Sequence, residues 1–156
     1  MNLDRLLAFF RALQDEAVDY VLVGGFALNM IGLTRATEDA DIVIRLTEEN
    51  VRRLRAAFRR VWDDPAIEEI QYHALAGDFP AITYGPPDEV FTVGIVARFD
   101  EAFRFEDLKA ELKDWQSVKV CVATPRTLYE MKKATIRPVD RSDAAELAER
   151  FGFRED

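Results

Sequence analysis

The segment 20–44 constrains the fold of this chain more than any other stretch, and it reads YVLVGGFALNMIGLTRATEDADIVI. Apolar and β-branched residues at 20–23 predict a short strand, and the glycine pair that follows predicts a sharp turn. A helix is predicted at 26–31, and a second strand is predicted from Asp39 to Arg45. A strand, a turn, a helix and a second strand in this order indicate an α/β (α+β) domain.

Asp39 and Asp41 are two residues apart in the second predicted strand, so their carboxylates project from the same face of the sheet. At a separation of roughly 6 Å and an effective dielectric near 20, two carboxylates repel each other by about 3 kcal/mol. A bound cation relieves this repulsion, which makes the pair a candidate magnesium site. The alternative is a polar strand face covered by water, and for an isolated D-x-D pattern that explanation is the better one.

Gly24 and Gly25 follow the first predicted strand directly. A glycine turn that opens a helix presents backbone N–H groups, which bind phosphate oxygens well. Most Gly-Gly pairs after strands are ordinary turns, so the pair is a weak signal when it is considered alone. Thr37, two residues before Asp39, either orients a phosphate or bonds to the turn.

Together these residues resemble the first motif of the nucleotidyltransferase superfamily, which includes DNA polymerase β. The resemblance rests on the glycine pair, on RAT at 35–37 and on DADIV at 39–43. It is closest to a small bacterial group of AbiEii toxin-like nucleotidyltransferases, whose pattern is G-G/S, a helix and then R-x-T-x-D-x-D.

A later segment supports the resemblance to the same group, whose second pattern is K-x4-R-P-x-D-x-x-D. The matching residues of this chain are Lys132, then Arg137-Pro138-Val139-Asp140, and then Asp143. Arg137 and Asp143 are expected to brace the junction of the last two helices. The resemblance covers about residues 3–151 and implies a minimal nucleotidyltransferase fold, in which helices flank a mixed β-sheet and C-terminal helices follow it.

The resemblance also implies roles for individual side chains. Asp39 and Asp41 would bind Mg²⁺, with one ion favoured over two, and the substrate would be a nucleoside triphosphate (NTP). Lys132 would neutralise the triphosphate, and Asp140 would receive a proton from the acceptor. The residues implied in binding the nucleotide and its phosphates are Gly24, Gly25, Arg35 and Thr37. Without the resemblance, Lys132 and Asp140 are equally well explained as charges that complement helix dipoles.

The strand predicted at 90–99 lacks an acid that the superfamily usually has there. By the same resemblance, this strand carries a third carboxylate, in a pattern such as V-D/E-I/L-L, that completes the metal site. Here residues 92–96 read TVGIV, so Gly94 stands in place of the acid. Asp88 and Glu89 cannot replace it, because both lie upstream in the preceding turn. For Glu89, the odd shift along the strand would also turn the side chain to the other face. A two-ion arrangement is therefore disfavoured.

Two functions from different classes remain open. The leading hypothesis is a Mg²⁺-dependent nucleotidyltransferase that transfers a nucleoside monophosphate from an NTP to an acceptor and releases pyrophosphate. The resemblance implies acceptors such as RNA (a tRNA end), a protein or a small molecule, and a toxin–antitoxin role with an antitoxin protein as partner. The alternative is a catalytically inactive module of the same fold that binds a nucleotide or a protein, for which Gly94 is the best argument. A third possibility is an α/β domain whose motif match is accidental.

The composition is that of one ordinary globular domain. The chain has 156 residues, all assigned here to a single domain, and its net charge is −8. That charge argues against broad nucleic-acid binding, because phosphate backbones require a positive footprint. No apolar stretch approaches the roughly 20 residues of a membrane span, so a cytoplasmic location without a membrane partner is expected.

Two residue types that often carry chemistry occur only once, as Cys121 and His73. A single cysteine excludes an internal disulfide, and its apolar setting in VKVCVAT predicts a buried core thiol. A single histidine excludes both a Ser-His-Asp triad and a histidine-rich zinc site.

Apolar periodicity and turn residues predict the remaining elements. They are a first helix with an apolar stripe at 3–13, a helix capped by Thr47 that ends near Trp62, hairpins at 79–99 and 111–123, a helix that begins at Thr124-Pro125, and a last helix at 138–151. The second helix of this list contains Arg52, Arg53, Arg55, Arg59 and Arg60. They are best explained as a solvated helix surface, and the alternative is a surface that grips RNA or an acidic partner.

Overall fold

The computed structural model describes residues 2–99, 103–133 and 138–154, so Arg137 of the second motif lies outside the described residues. The helices are α1 (Leu3–Asp15), α2 (Gly24–Met30), α3 (Glu48–Val61), α4 (Tyr72–Leu75), α5 (Pro125–Lys133) and α6 (Pro138–Phe151). The strands are β1 (Tyr20–Val23), β2 (Asp39–Ile44), β3 (Ala81–Tyr84), β4 (Thr92–Val96), β5 (Arg98–Phe99), β6 (Phe103–Arg104), β7 (Ala110–Trp115) and β8 (Val118–Ala123). Short 3₁₀ turns occupy Pro65–Glu69 and Phe105–Asp107.

Six of these strands form one mixed sheet in the order β3-β4-β2-β1-β8-β7. β1 and β2 are antiparallel, whereas β2 runs parallel to β4 and β1 runs parallel to β8. The outer pairs, β3 with β4 and β7 with β8, are the two antiparallel hairpins predicted from the sequence. The predicted mixed sheet with flanking helices is therefore confirmed, and β4 lies beside the acid-bearing strand β2 as expected.

The helices cover the sheet with their apolar faces. α1 packs against α3 and β8, α2 packs against β1 and β2, and α5 packs against α6. Between α1 and α3, the ring centroids of Phe9 and Phe58 are 4.6 Å apart, and burial of each such ring contributes about 1.5–3 kcal/mol. The buried apolar side chains form one contiguous cluster. This cluster gives the strands that carry the acids a rigid support.

Short-range signals determine where the helices begin and end. Thr47 Oγ1 accepts a hydrogen bond of 3.1 Å from the Asn50 N–H, and Thr124 Oγ1 accepts one of 3.1 Å from the Thr127 N–H. Such bonds satisfy amides that have no partner inside the helix. Gly32 follows α2 with a φ of +100°, a left-handed conformation that commonly ends helices. The helix starts predicted at Thr47 and Thr124 are therefore confirmed.

Two predicted boundaries are wrong. α2 begins at Gly24 rather than at Phe26, so the glycine pair forms the first turn of the helix and not a separate turn before it. The φ of Gly24 is +75°, which glycine adopts at little cost, and the chain therefore changes direction within the helix's first residue. The strand predicted at 90–99 is divided at Ala97 into β4 and β5. The division arises because β5 leaves the main sheet and pairs with β6.

The five arginines of α3 are bound to groups of the chain itself. Their partners are Glu49 for Arg52 and Arg53, Glu68 for Arg59, Glu16 for Arg60, and the Ile70 carbonyl oxygen for Arg55. Exposed ion pairs of this kind contribute only about 0–1 kcal/mol each. Because neighbouring acids balance most of the positive charge, the structure favours the solvated-surface explanation of this helix.

Cys121 and His73 lie in settings that give them no evident chemistry. Cys121 on β8 is half-buried rather than fully buried. Burial, and to a smaller extent the negative charge of Asp19, raises the pKa of its thiol, which disfavours the nucleophilic thiolate. His73 is exposed on α4. Within the described ranges, no helix is both long and apolar enough to cross a membrane.

Candidate active site

Strand pairing places the two acids of β2 in the middle of the sheet. Val23 of β1 lies opposite Asp41 on one side, and Gly94 of β4 lies opposite Asp41 on the other. Asp39 lies opposite Thr92. An accidental motif match would have been supported by unpaired β1 and β2 strands, and their pairing argues against it.

The carboxylate of Asp41 occupies the space between two glycines. A Cβ atom at Gly94 would lie 2.3 Å from Asp41 Oδ1, and a Cβ atom at Gly24 would lie 2.7 Å from Asp41 Oδ2. Both distances are shorter than real Cβ contacts. Gly94 therefore does more than omit an acid, because its missing side chain leaves the room in which the Asp41 carboxylate lies. Gly24 leaves the corresponding room at the start of α2.

A threonine hydroxyl holds the carboxylate of Asp39. Thr92 Oγ1 donates a hydrogen bond of 2.6 Å to Asp39 Oδ1. Sequence reasoning did not identify Thr92 as a site residue. A signal was present, however, because the two-residue period of a strand places Thr92 and Gly94 on the same face.

Thr37 bonds to the backbone at the start of β2. Its hydroxyl donates to the Asp39 carbonyl oxygen at 3.0 Å and accepts from the Asp39 N–H at 3.2 Å. A Cβ atom at Gly25 would lie 3.4 Å from Thr37 Cβ, so the Thr37 side chain lies against the first turn of α2. The structure thus contains a local backbone bond of Thr37, and its role in orienting a phosphate stays a prediction.

Burial and charge repulsion raise the pKa of Asp41. Burial has the largest effect, the negative charge of Asp39 acts in the same direction, and the positive charge of Lys132 opposes both. The ionised form of Asp41 is therefore disfavoured, and a cation between the two carboxylates would relieve this. The effect of Lys132 also indicates that its ammonium group lies near enough to act on Asp41.

Lys132, near the C-terminal end of α5, bonds to two carboxylates of α6. Its Nζ lies 2.9 Å from Asp140 Oδ1 and 3.3 Å from Asp143 Oδ2. Both aspartates are only 5% exposed. The second motif is thus assembled around Lys132, and the charge of Lys132 connects it to Asp41 of the first motif.

Arg35 lies in the loop before β2, and its guanidinium group faces α6. Nε donates a hydrogen bond of 2.8 Å to Asp143 Oδ1, Nη2 pairs with Glu146, and Nη1 donates to the Thr34 carbonyl oxygen at 2.7 Å. These bonds give Arg35 a bracing role between the loop and α6, and its contact with a phosphate stays a prediction. Asp143 bonds to both Arg35 and Lys132, as predicted for a residue that braces the helix junction.

The two acids of β2 fit a single Mg²⁺ ion. Among the described residues there is no cluster of three or more His, Cys, Asp or Glu side chains that could hold a metal. Mg²⁺ does not require one, since it commonly binds one or two carboxylates and takes its other ligands from water and substrate phosphates. Asp39 and Asp41 supply such a carboxylate pair, and the raised pKa of Asp41 is the property that a cation would offset.

We predict that replacement of Thr92 by valine weakens Mg²⁺-dependent NTP binding about tenfold, because groups that orient metal-binding carboxylates affect affinity by about 10–100-fold. Valine keeps the shape of threonine but cannot donate to Asp39 Oδ1. Calorimetric titration with each NTP and Mg²⁺ measures the change. The Thr92→Ser variant retains the hydroxyl and should bind like wild type; equal affinity in the valine variant would contradict the prediction.

A family model described as the nucleotidyl transferase AbiEii toxin of a type IV toxin–antitoxin (TA) system matches residues 5–144. The matched range contains both acids of β2 and also Lys132, Asp140 and Asp143 of the second motif. Both segments that carried the resemblance therefore lie inside the match.

A solved structure with a similar fold is that of TM1012 from Thermotoga maritima, described as a candidate nucleotidyltransferase. The two chains superpose with a TM-score of 0.55 at 14% sequence identity, over 96% of this chain and 91% of that chain. At this identity the likeness concerns the fold alone. No curated protein matches this chain at a significant level.

Proposed function

We propose that this chain, which belongs to the AbiEii nucleotidyltransferase toxin family, transfers a nucleoside monophosphate from an NTP to an acceptor and releases pyrophosphate. The observation that carries the proposal is the arrangement around Asp41. Its carboxylate lies beside that of Asp39, fits between Gly24 and Gly94, and experiences the charge of Lys132. A polar strand face that is merely covered by water would not require a carboxylate enclosed by two glycines and affected by the charge of a lysine.

The start of α2 supports a phosphate-binding role for Gly24 and Gly25. Val23, the N-cap residue, makes no capping hydrogen bond with its side chain. The first amides of a helix have no partner within the helix and attract anions. We therefore expect the backbone N–H groups of the glycine pair to bind phosphate oxygens of the NTP.

The charges around the acid pair suit a triphosphate. Asp39 and Asp41 would hold one Mg²⁺ ion, which when bound neutralises phosphate charge and favours the departure of pyrophosphate. Lys132 would add a second positive charge to neutralise the triphosphate. Thr92 and Thr37 would act on Asp39, through its carboxylate and its backbone respectively.

In the transfer step, the acceptor hydroxyl or amine loses a proton while its oxygen or nitrogen bonds to the α-phosphorus. The bond from the α-phosphorus to the bridging oxygen breaks, and pyrophosphate leaves with that electron pair. Asp140 is proposed to receive the proton. Its Oδ1 bonds to Lys132 Nζ at 2.9 Å, and a triphosphate that shares the charge of this ammonium group would leave the carboxylate more basic.

The partners are proposed from the family and from the site together. A toxin of a toxin–antitoxin pair requires an antitoxin, so we propose an antitoxin protein as partner. The acceptor is proposed to be a hydroxyl or amine of RNA, a protein or a small molecule. The balanced arginines of α3 offer no broad positive surface, so an RNA acceptor would be recognised locally at the site.

The proposal is tested by calorimetric titration of the wild-type chain with each NTP, with and without Mg²⁺. The same titrations are made with the double variant Asp39→Asn, Asp41→Asn. We expect Mg²⁺-dependent binding by wild type and at least tenfold weaker binding by the variant. The variant should remain folded. Because the pKa of Asp41 is raised, its ionised carboxylate destabilises the folded state above that pKa. Asparagine removes this charge.

The matched control carries the same two substitutions at exposed acids, Asp63→Asn and Asp78→Asn. It should bind NTP like wild type. Binding that depends on the Asp39–Asp41 pair would justify a search for the acceptor with labelled nucleotide. Absent binding, or binding indifferent to both metal and mutation, would instead favour the catalytically inactive module that binds a protein partner.

A further inference from the structure

Arg35 is fixed in the loop before β2 by the side chain of Asn29 on α2. Asn29 Oδ1 accepts a hydrogen bond of 2.6 Å from the Arg35 N–H, and Asn29 Nδ2 donates one of 3.0 Å to the Arg35 carbonyl oxygen. Both backbone polar groups of Arg35 are thus bound to one helix. The base of the Arg35 side chain is therefore fixed, and its guanidinium group reaches α6.

Asp143 divides its two carboxylate oxygens between two cations. Oδ1 accepts the hydrogen bond of 2.8 Å from Arg35 Nε, and Oδ2 lies 3.3 Å from Lys132 Nζ. Asp143 is 5% exposed, and a buried carboxylate is costly unless its charge is balanced. Arg35 balances part of the negative charge of Asp143, which Lys132 would otherwise have to balance alone.

Lys132 is therefore held from two sides. Asp140 Oδ1 lies 2.9 Å from its Nζ, and Asp143 connects it to Arg35. The Lys132 side chain is only 18% exposed, so neighbouring protein groups, and not solvent, determine where the ammonium group lies. α5, which carries Lys132, also contacts α2, and Gly24 at the start of α2 lies against the Asp41 carboxylate.

We propose that Arg35 and Asp143 are positioning residues that hold the Lys132 ammonium group at a fixed location and keep its charge available to the triphosphate. This inference rests on the proposed function, because it concerns the same site. It assigns Arg35 no contact with the nucleotide. The effect of Arg35 on NTP binding is then exerted entirely through Lys132.

A double-mutant cycle distinguishes action through Lys132 from direct contact with phosphate. Affinity for the NTP that binds wild type best is measured, with Mg²⁺, for Arg35→Gln, Lys132→Gln and the double variant. We expect Arg35→Gln to bind about tenfold more weakly, and the double variant to match Lys132→Gln within about twofold. If the losses of affinity in the two single variants multiply in the double variant, Arg35 contacts the phosphates directly, and the inference is overturned. Unchanged affinity in a folded Arg35→Gln variant would also overturn it, since that result indicates a purely structural brace.

The matched control is Arg59→Gln, which breaks an ion pair of similar geometry on α3, with Arg59 Nε 2.8 Å from Glu68 Oε1. It should leave NTP affinity unchanged. A tenfold loss in this control would attribute the effect of Arg35 to general loss of arginine pairs and overturn the inference.

A second measurement does not depend on nucleotide binding. The ¹³Cε and ¹Hε NMR signals of Lys132 are recorded without NTP for wild type, Arg35→Gln and Arg59→Gln. We expect these signals to shift in Arg35→Gln alone, because the ammonium group loses its fixed location. If wild type binds no NTP, the proposed function fails. If the double variant does not fold, the double-mutant cycle cannot be completed. In either case the NMR result decides, and unchanged Lys132 signals would overturn the inference.

Discussion

Replacement of Lys132 by methionine is expected to lower the free energy of unfolding by about 3 kcal/mol, the range found when one partner of a buried ion pair is removed. Methionine retains the length of the side chain but not the ammonium group that bonds to Asp140 and Asp143. Both carboxylates are 5% exposed, so water cannot fully replace the lost contact. Urea denaturation followed by circular dichroism measures the change.

The neighbouring lysine provides the control for this substitution. Lys133 has a side chain that is 42% exposed and lies 3.9 Å from Glu130, and exposed pairs of this kind contribute about 0–1 kcal/mol. Lys133→Met should therefore cost little. Equal losses in the two variants would mean that the carboxylates of α6 do not depend on Lys132, and would contradict the ion-pair network inferred for this site.

Replacement of Gly94 by alanine is expected to lower the free energy of unfolding by about 1–3 kcal/mol, the cost of forcing an extra methyl group into a filled space. The added Cβ would lie 2.3 Å from Asp41 Oδ1, so the Asp41 carboxylate must move. It cannot move freely toward Gly24, whose backbone lies against its other oxygen. We expect NTP affinity in the presence of Mg²⁺ to fall at least as far as in the Asp39→Asn, Asp41→Asn variant.

Gly77→Ala is the control for this substitution, because nothing lies within 4 Å of the Cβ atom that it would add. It should change neither stability nor binding appreciably. The Gly94→Asp variant extends the test, since it restores the acid that the superfamily usually has at this position. We expect it to lose binding as well, because the collision begins at its Cβ. Improved binding by Gly94→Asp would show that the site tolerates a third carboxylate and would refute this explanation of Gly94.

Much of the fold could be predicted because the responsible interactions are short in range. The two-residue period of β2 places Asp39 and Asp41 on one face, and hydroxyl caps at Thr47 and Thr124 set the starts of α3 and α5. The turn before β4 and the turn between β7 and β8 identified both hairpins. The predicted boundary at Phe26 was wrong, because the left-handed φ of Gly24 turns the chain directly after β1 and α2 begins at the glycine pair.

The sequence predicted the two motifs of the candidate site, but it did not predict the contacts that join their residues. Both motifs were located from the sequence, but the bond of Thr92 to Asp39 and the bond of Arg35 to Asp143 were missed. The hydrogen bond from Arg35 to Asp143 joins residues that are 108 positions apart. Periodicity and spacing do not extend over such a separation, so the sequence offered no signal for this contact.

The sequence by itself determined the order of helices and strands, the shared face of the two acids and the family to which the chain belongs. Each of these depends on neighbouring residues or on a local pattern. Only the tertiary structure decided that Gly94 lies against Asp41, that Thr92 bonds to Asp39 and that Lys132 pairs with Asp140 and Asp143. These relations depend on which strands are neighbours, on their register and on the packing of α5 against α6, and such properties belong to the folded chain as a whole.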